Sequence, residues 1–215
     1  MCHHEGVIGL KRLTRSFFEQ DTLTVAKELL GTYIVKEING KVCVGKIVET
    51  EAYTGINDKA SHAYGNRRTN RTEVMYGKAG CAYIYLIYGM YHLLNIVTNK
   101  ENEPECVLIR AIEPIKGIEE MMKARFKQPM NVLSPSKQKQ LSNGPGKLCQ
   151  ALSITKEMSG YDLCAAHQTF FYLLDKKEQL DYIQTTRINI DYAEEAKNYL
   201  YRFYEKDNPF VSVKT

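Results

Sequence analysis

Apolar and polar positions change their period several times along this chain, and each change marks an element. Over residues 22–30 the apolar side chains Leu23, Ala26, Leu29 and Leu30 fall on one helical stripe, with Asp21 at the N-cap and Gly31 placed to end the helix. The period then drops to two. Residues 32–38 and 41–51 flank Asn39-Gly40, a dipeptide that favours a two-residue type I′ hairpin because both of its positions accept positive φ. Along the second strand, alternation puts Ile47, Glu49, Glu51 and Tyr53 on one face and Val48, Thr50 and Ala52 on the other. Two carboxylates therefore emerge together at a strand end.

Residues 81–88 are β-branched and aromatic, Gly89 interrupts them and an apolar run resumes over 90–97, which predicts a second hairpin with Tyr88-Gly89-Met90 at its tip. Residues 106–112 read as a strand carrying one charge, Arg110, in an apolar run. Glu113-Pro114 is expected to close that strand before a helix over 115–126. Residues 127–143, with Pro129 and Pro135, are polar and without period, and are expected to form a surface loop. Gly144-Pro145-Gly146-Lys147 then opens a helix over 148–152, whose first N–H groups can receive an anion. A strand is expected at 170–174 and a terminal amphipathic helix at 193–203. No internal repeat or domain linker interrupts the pattern, so residues 1–215 are expected to form one domain, with 1–12 a flexible terminus.

Composition narrows the class. The chain is 44% hydrophobic and 25% charged, an ordinary globular balance. No run reaches the ~18 apolar residues of a membrane span, and the first residues lack the lead and apolar core of a signal peptide, so a soluble, cytoplasmic protein is expected. Six cysteines without a CxxC pair read as reduced thiols. Cys2-His3-His4 offers three ligands on a fraying terminus and is not read as a metal site. A net charge of +4 permits a polyanionic partner without requiring one; its distribution is more informative. Arg67, Arg68, Arg71 and Lys78 lie between His62 and the tyrosine run, while Lys137, Lys139 and Lys147 surround the Gly-Pro-Gly turn. Basic segments interleaved with aromatics suit a phosphate-tracking surface, whereas alone they would read as solvated loops.

The motifs Glu-Thr-Glu-Ala-Tyr at 49–53, Ala-Ser-His at 60–62, the run from Tyr83 through Tyr85 and Tyr88-Gly89-Met90 to Tyr91, Asn95, Leu-Ile-Arg-Ala-Ile-Glu-Pro at 108–114 and Asn-Gly-Pro-Gly-Lys-Leu-Cys-Gln-Ala-Leu at 143–152 occur in that order. Together they resemble the alkyladenine (3-methyladenine) DNA glycosylase family, and the likeness runs over nearly the whole chain. The resemblance implies a mixed α+β single domain built on a curved antiparallel sheet, with surrounding helices and a protruding hairpin that inserts into DNA. It implies a base excision repair enzyme acting on double-stranded DNA as a monomer. Such an enzyme flips alkylated or deaminated purines (3-methyladenine, hypoxanthine, ethenoadenine) out of the stack and hydrolyses the glycosidic bond.

By that resemblance Glu51 is the water-activating base, a choice that the residues alone leave open against Glu49, and Arg110 helps hold water and carboxylate. Tyr53 and His62 would face one side of the flipped base and Tyr85 the other, and Asn95 would crowd the 2-amino group of guanine. Tyr88 would be the wedge with Met90 beside it. Arg67, Arg68, Arg71, Lys78 and Lys147 are the expected backbone contacts. No lysine in the motifs stands where a Schiff-base nucleophile would, so the reaction is expected to stop at an abasic site, with no metal or organic cofactor. Two rival readings use the same residues: a non-catalytic binder of damaged or single-stranded nucleic acid, which would leave Glu51 dispensable, and a nucleosidase, which would leave the wedge unexplained.

Overall fold

In the computed structural model, which describes residues 9–128, 134–176 and 178–214, the first hairpin forms where Asn39 and Gly40 permit it. Strands β1 (Tyr33–Ile38) and β2 (Lys41–Tyr53) pair with Ile38 opposite Lys41, and the two turn residues take φ of 50° and 75°. The second expected hairpin also forms. Strands β3 (Ala82–Ile87) and β4 (Tyr91–Thr98) pair with Ile87 opposite Tyr91, leaving Tyr88-Gly89-Met90 as the tip, where Tyr88 and Gly89 have φ of 53° and 68°.

β5 (Glu105–Lys116) joins the two hairpins, pairing with β4 on one side and β2 on the other. The other edge of β2 is shared: β1 takes its first half, and β8 (Arg202–Glu205) takes residues 49–51 near its end. β6 (Phe171–Leu174) extends the sheet beyond β1, and β7 (Tyr182–Thr185) beyond β8. Among the described residues this makes one antiparallel sheet of eight strands, curled because two strands diverge along a single edge of β2.

Helices cover one face. α1 (Arg15–Phe18) leads into α2 (Thr22–Glu28), whose N-terminus is capped as expected, the Asp21 carboxylate accepting the Thr24 N–H at 3.0 Å. Val25, Ala26 and Leu29 are fully buried in one cluster with Ile47, Ala52, Ile109 and Ile112 of the sheet, and α3 (Ile118–Phe126) and α5 (Pro145–Ala151) contribute to the same core. Thr50 faces this side, and its hydroxyl donates to the Ala26 carbonyl at 2.8 Å. Glu49, Glu51 and Tyr53 are on the opposite face, with Tyr83, Tyr85, Asn95, Leu108 and Arg110.

The expected alternation along β2 holds only from Glu49 onward. Ile47 pairs with Ile112, Glu49 with Ala111 and Thr50 with Ile109, so Val48 is an extra residue on β2 and Arg110 an extra residue on β5. These opposed bulges put Ile47 into the helix-covered core, away from the glutamates, and bring Val48 and Glu49 to the same side. Periodicity alone cannot show a bulge. Nor does Pro114 end its strand: β5 continues to Lys116 because Pro114 sits at a register shift between Val44 and Gly45, where the ladder is already broken, and α3 starts only after Gly117.

Residues 193–203 do not form the expected helix. A short 3₁₀ turn (Glu194–Asn198) is followed by β8, in which Phe203 is fully buried in the core and Arg202 reaches Glu49 from the other face. Pairing with both β2 and β7 outweighs the helical spacing. α4 (Pro135–Lys139), N-capped by Ser134, interrupts the expected loop over 127–143, and α5 begins at Pro145, three residues earlier than expected. In the amino-terminal segment expected to be flexible, Arg12 bridges to Leu174 and donates to the carbonyls of Gln168 at 2.8 Å and Leu163 at 3.0 Å. Cys2-His3-His4 lies outside the described residues. No described helix is long and apolar enough to cross a membrane.

Candidate active site

The opposed bulges place Arg110 between the two glutamates. Its Nε donates to Glu49 Oε1 at 3.1 Å and an Nη donates to Glu51 Oε2 at 3.2 Å, and both carboxylates are completely buried. Their other partners differ. Glu49 Oε1 also accepts from Arg202 Nε at 2.7 Å and the Ser212 hydroxyl at 2.9 Å, while its Oε2 accepts the Ser212 N–H at 2.7 Å. Glu51 Oε2 accepts the Tyr53 hydroxyl at 2.9 Å, and its Oε1 accepts the Ile188 N–H at 2.7 Å. Tyr53, Arg110 and Ile188 all line a cavity of about 630 Å³, whereas Arg202 and Ser212 do not, so Glu51 is directly under the cavity floor and Glu49 is tied into the carboxy-terminal segment. Burial and the neighbouring Glu51 charge hold the Tyr53 phenol far above its usual pKa, keeping it a hydrogen-bond donor at neutral pH.

The cavity brings together most of the sequence-predicted pocket residues. Tyr53, His62 and Tyr85 line it, and Asn95, buried and donating to the Tyr83 carbonyl at 3.2 Å, lines a separate small cavity of about 40 Å³ on the other side of the same three rings. His62 and Tyr85 meet edge to face with centroids 4.6 Å apart. A base stacked between two rings needs roughly 7 Å, two van der Waals contacts, so those rings must part before a base lies between them. His62 Nδ1 is 2.9 Å from the Tyr83 hydroxyl and Nε2 is 3.3 Å from an Arg71 nitrogen. Arginine only donates, so Nε2 accepts and the single ring proton is on Nδ1. Burial first, then Arg71 and Arg67, lowers the His62 pKa to about 4, so the ring is neutral at physiological pH.

At the rim, Tyr88 and Met90 are 78% and 62% exposed, very high for large apolar side chains, and Tyr88 lines the cavity mouth. Arg71 joins the lining with its guanidinium 4.8 Å from the Tyr85 ring centre. Lys147 lines the cavity beside Arg125 and Gln150, and its ammonium donates to Asn143 at 2.8 Å. Arg67 and Lys78 are exposed and outside the cavity, and Arg68 is occupied by Glu73 at 2.6 Å and by the Tyr76 ring. Sequence reasoning missed Arg125, Arg187, Ile188 and Tyr192. The last three arrive on an irregular loop more than 130 residues after Glu51, and no local motif marks them. Among the described residues no cluster of three or more His, Cys, Asp or Glu side chains is arranged to hold a metal ion.

The model of the family described as methylpurine-DNA glycosylase (MPG) matches residues 16–209, almost the whole described chain. The chain belongs to this family. Relatives agree along their full length: a protein of Clostridium novyi (strain NT) is 53% identical over 95% of this chain and 100% of its own. One from Clostridium perfringens (strain SM101 / Type A) is 52% identical over 94% and 100%, and one from Desulfitobacterium hafniense (strain Y51) is 50% identical over 95% and 100%. Each carries the name "Putative 3-methyladenine DNA glycosylase". The curled antiparallel sheet with helices on one face is thus the scaffold of a methylpurine-DNA glycosylase, and the buried Glu51–Arg110 pair belongs to that scaffold's open face.

Proposed function

We propose that this methylpurine-DNA glycosylase family member is a monofunctional enzyme of base excision repair. It acts as a monomer on double-stranded DNA, extruding a damaged purine (3-methyladenine, hypoxanthine or ethenoadenine) and hydrolysing its glycosidic bond. The observation that carries this reading is a buried carboxylate, Glu51, set beneath an aromatic cavity by donors that themselves line it. A carboxylate has about four acceptor positions; Tyr53, Arg110 and Ile188 take three, which leaves the fourth, on Oε1, for the reacting water. Glu51 takes a proton from that water as its oxygen bonds to C1′ of the sugar, and the electron pair of the C1′–N bond leaves with the purine. The same negative charge steadies the cationic sugar of the transition state, with Arg110 fixing the carboxylate.

Unstacking a purine costs a few kcal/mol, and Tyr88 at the exposed tip, with Met90, fills the gap so that the flipped state persists. Tyr53, His62 and Tyr85 contact the base, and Asn95, in the small space behind these rings, discriminates against the 2-amino group of guanine. Arg71 and Lys147 on the cavity wall, with Arg67 and Lys78 outside it, meet the phosphates, while Arg68 stays paired with Glu73. A methylated purine already carries positive charge and leaves as a neutral base, so water activation and sugar stabilisation suffice for it. The test is incubation of metal-free protein with duplexes carrying one hypoxanthine or one 3-methyladenine, followed by alkali. Strand breaks only after alkali, lost in Glu51→Gln, support the reading; breaks before alkali overturn the monofunctional assignment. Binding without base release overturns the enzyme assignment in favour of a nucleic-acid sensor.

A further inference from the structure

Arg187 does not line the cavity, yet its guanidinium contacts the strand and the ring that follow Glu51 on β2, and it precedes the residue that donates to Glu51. It clamps Asp58 through two nitrogens at 2.5 and 2.8 Å, donates to the Ala52 carbonyl at 2.9 Å and to the Ala196 carbonyl at 3.2 Å, and lies 4.8 Å over the Tyr53 ring and 5.3 Å over that of Tyr201. Ala52 is the residue between Glu51 and Tyr53 on β2. The residue after Arg187 is Ile188, whose N–H reaches Glu51 Oε1 at 2.7 Å. We infer that Arg187, anchored by Asp58, is a positioning residue that holds Glu51 for water activation, an inference that rests on the reading of Glu51 as the base.

The cluster is costly to maintain by itself. Both side chains of the Arg187–Asp58 pair are fully buried, and Arg187 Nε has no hydrogen-bond partner in the structure, while replacing such a pair by apolar residues is often neutral or stabilising. Stability alone is therefore a poor account of it. Its geometry fits a different role: it fixes the loop that supplies the Oε1 donor relative to the strand that supplies Glu51 and the Oε2 donor, and a misplacement of about 1 Å in such a site costs on the order of 100-fold in rate.

The test is single-turnover excision of hypoxanthine from duplex DNA with enzyme in excess, read as the rate at saturation and the half-saturating enzyme concentration. The double variant Asp58→Asn/Arg187→Gln removes both buried charges together, so neither is left unpaired. Its saturated rate is expected to fall about 10- to 100-fold while half-saturation moves less than about threefold, a loss in the chemical step rather than in binding. Arg187→Lys with Asp58 intact keeps the ion pair and one donor and is expected to recover most of the loss; it also stands as the folded test if the double variant does not fold. The inference is overturned if a variant of native melting temperature cleaves at the parental rate, if only half-saturation moves, or if Arg187→Lys is no better than the double variant. A Glu51→Gln control separates the two readings. Full activity in that control removes the base assignment and the positioning with it, whereas its loss beside a fully active double variant removes the positioning alone.

Discussion

Two glutamates two residues apart on one strand have been given different tasks by their partners. Glu49 balances two buried arginines and ties down Ser212, so Glu49→Gln leaves Arg110 and Arg202 under-compensated. The expected outcome is a loss of about 3 kcal/mol, seen as a melting temperature lower by roughly 5–10 °C, with per-molecule activity retained at low temperature. Glu51→Gln keeps the Glu49–Arg110–Arg202 cluster and is expected to melt close to the parent while losing about 100- to 10,000-fold in hypoxanthine excision. Equal activity losses in the two variants would contradict this division. His62 supplies a second test. Its folded pKa, about 4, lies below the ordinary 6.5, so between those values the unfolded chain binds the proton that the folded chain refuses. The contribution of His62 to stability is therefore fully present above about pH 6.5 and lost as pH falls towards 4. His62→Gln should flatten the melting temperature over that window relative to the parent, measured by thermal melts at pH 7, 5.5 and 4.5.

At the scale of elements, the β3–β4 hairpin exposes two large side chains, Tyr88 and Met90, at a turn whose backbone L-residues rarely adopt, with Tyr88 at φ 53°. A tip selected for folding would carry glycine or asparagine there. Tyr88→Gly is accordingly expected to leave the melting temperature unchanged or slightly higher while slowing excision from a duplex; the proposed wedge role is contradicted if excision from duplex DNA is unaffected. What the sequence discloses about such elements depends on how local the cause is. Asn39-Gly40 and Asp21 announce a turn and a cap because their own backbone and side-chain chemistry decides the outcome. Val48 and Arg110 give no sign of bulging, since a bulge is a property of two strands in register. Tyr201 to Tyr204 carry a spacing that suits a helix or a strand equally, and the edge of β2 decides between them. The site shows the same divide: Glu51, Tyr53, His62 and Tyr85 are legible from motifs, whereas Arg187, Ile188 and Tyr192 gain their place only from the packing of a distant loop.

Over the whole molecule, a net charge of +4 is modest, and its distribution around one opening matters more than its size. Arg71 and Lys147 line that opening, while Arg68 is neutralised by Glu73. If the wall residues meet phosphates, duplex affinity falls as salt rises, and Arg71→Ala or Lys147→Ala each reduces the slope of log affinity against log salt by about 1. Arg68→Ala should change it less, as titrations at several salt concentrations will show. The curl that creates the opening has its own requirement. β2 lies between residues 41 and 53, yet the strand along its last residues is 202–205, and Ser212 and Val213 fasten Glu49 and Arg202 beyond it. A chain emerging from the ribosome thus forms its first hairpin early but cannot seat Glu49 until residues 202–213 are free of the exit tunnel. A proteolytic nick that removes Ser212 and Val213 should therefore loosen Glu49, a carboxylate synthesised about 160 residues before, and lower the melting temperature.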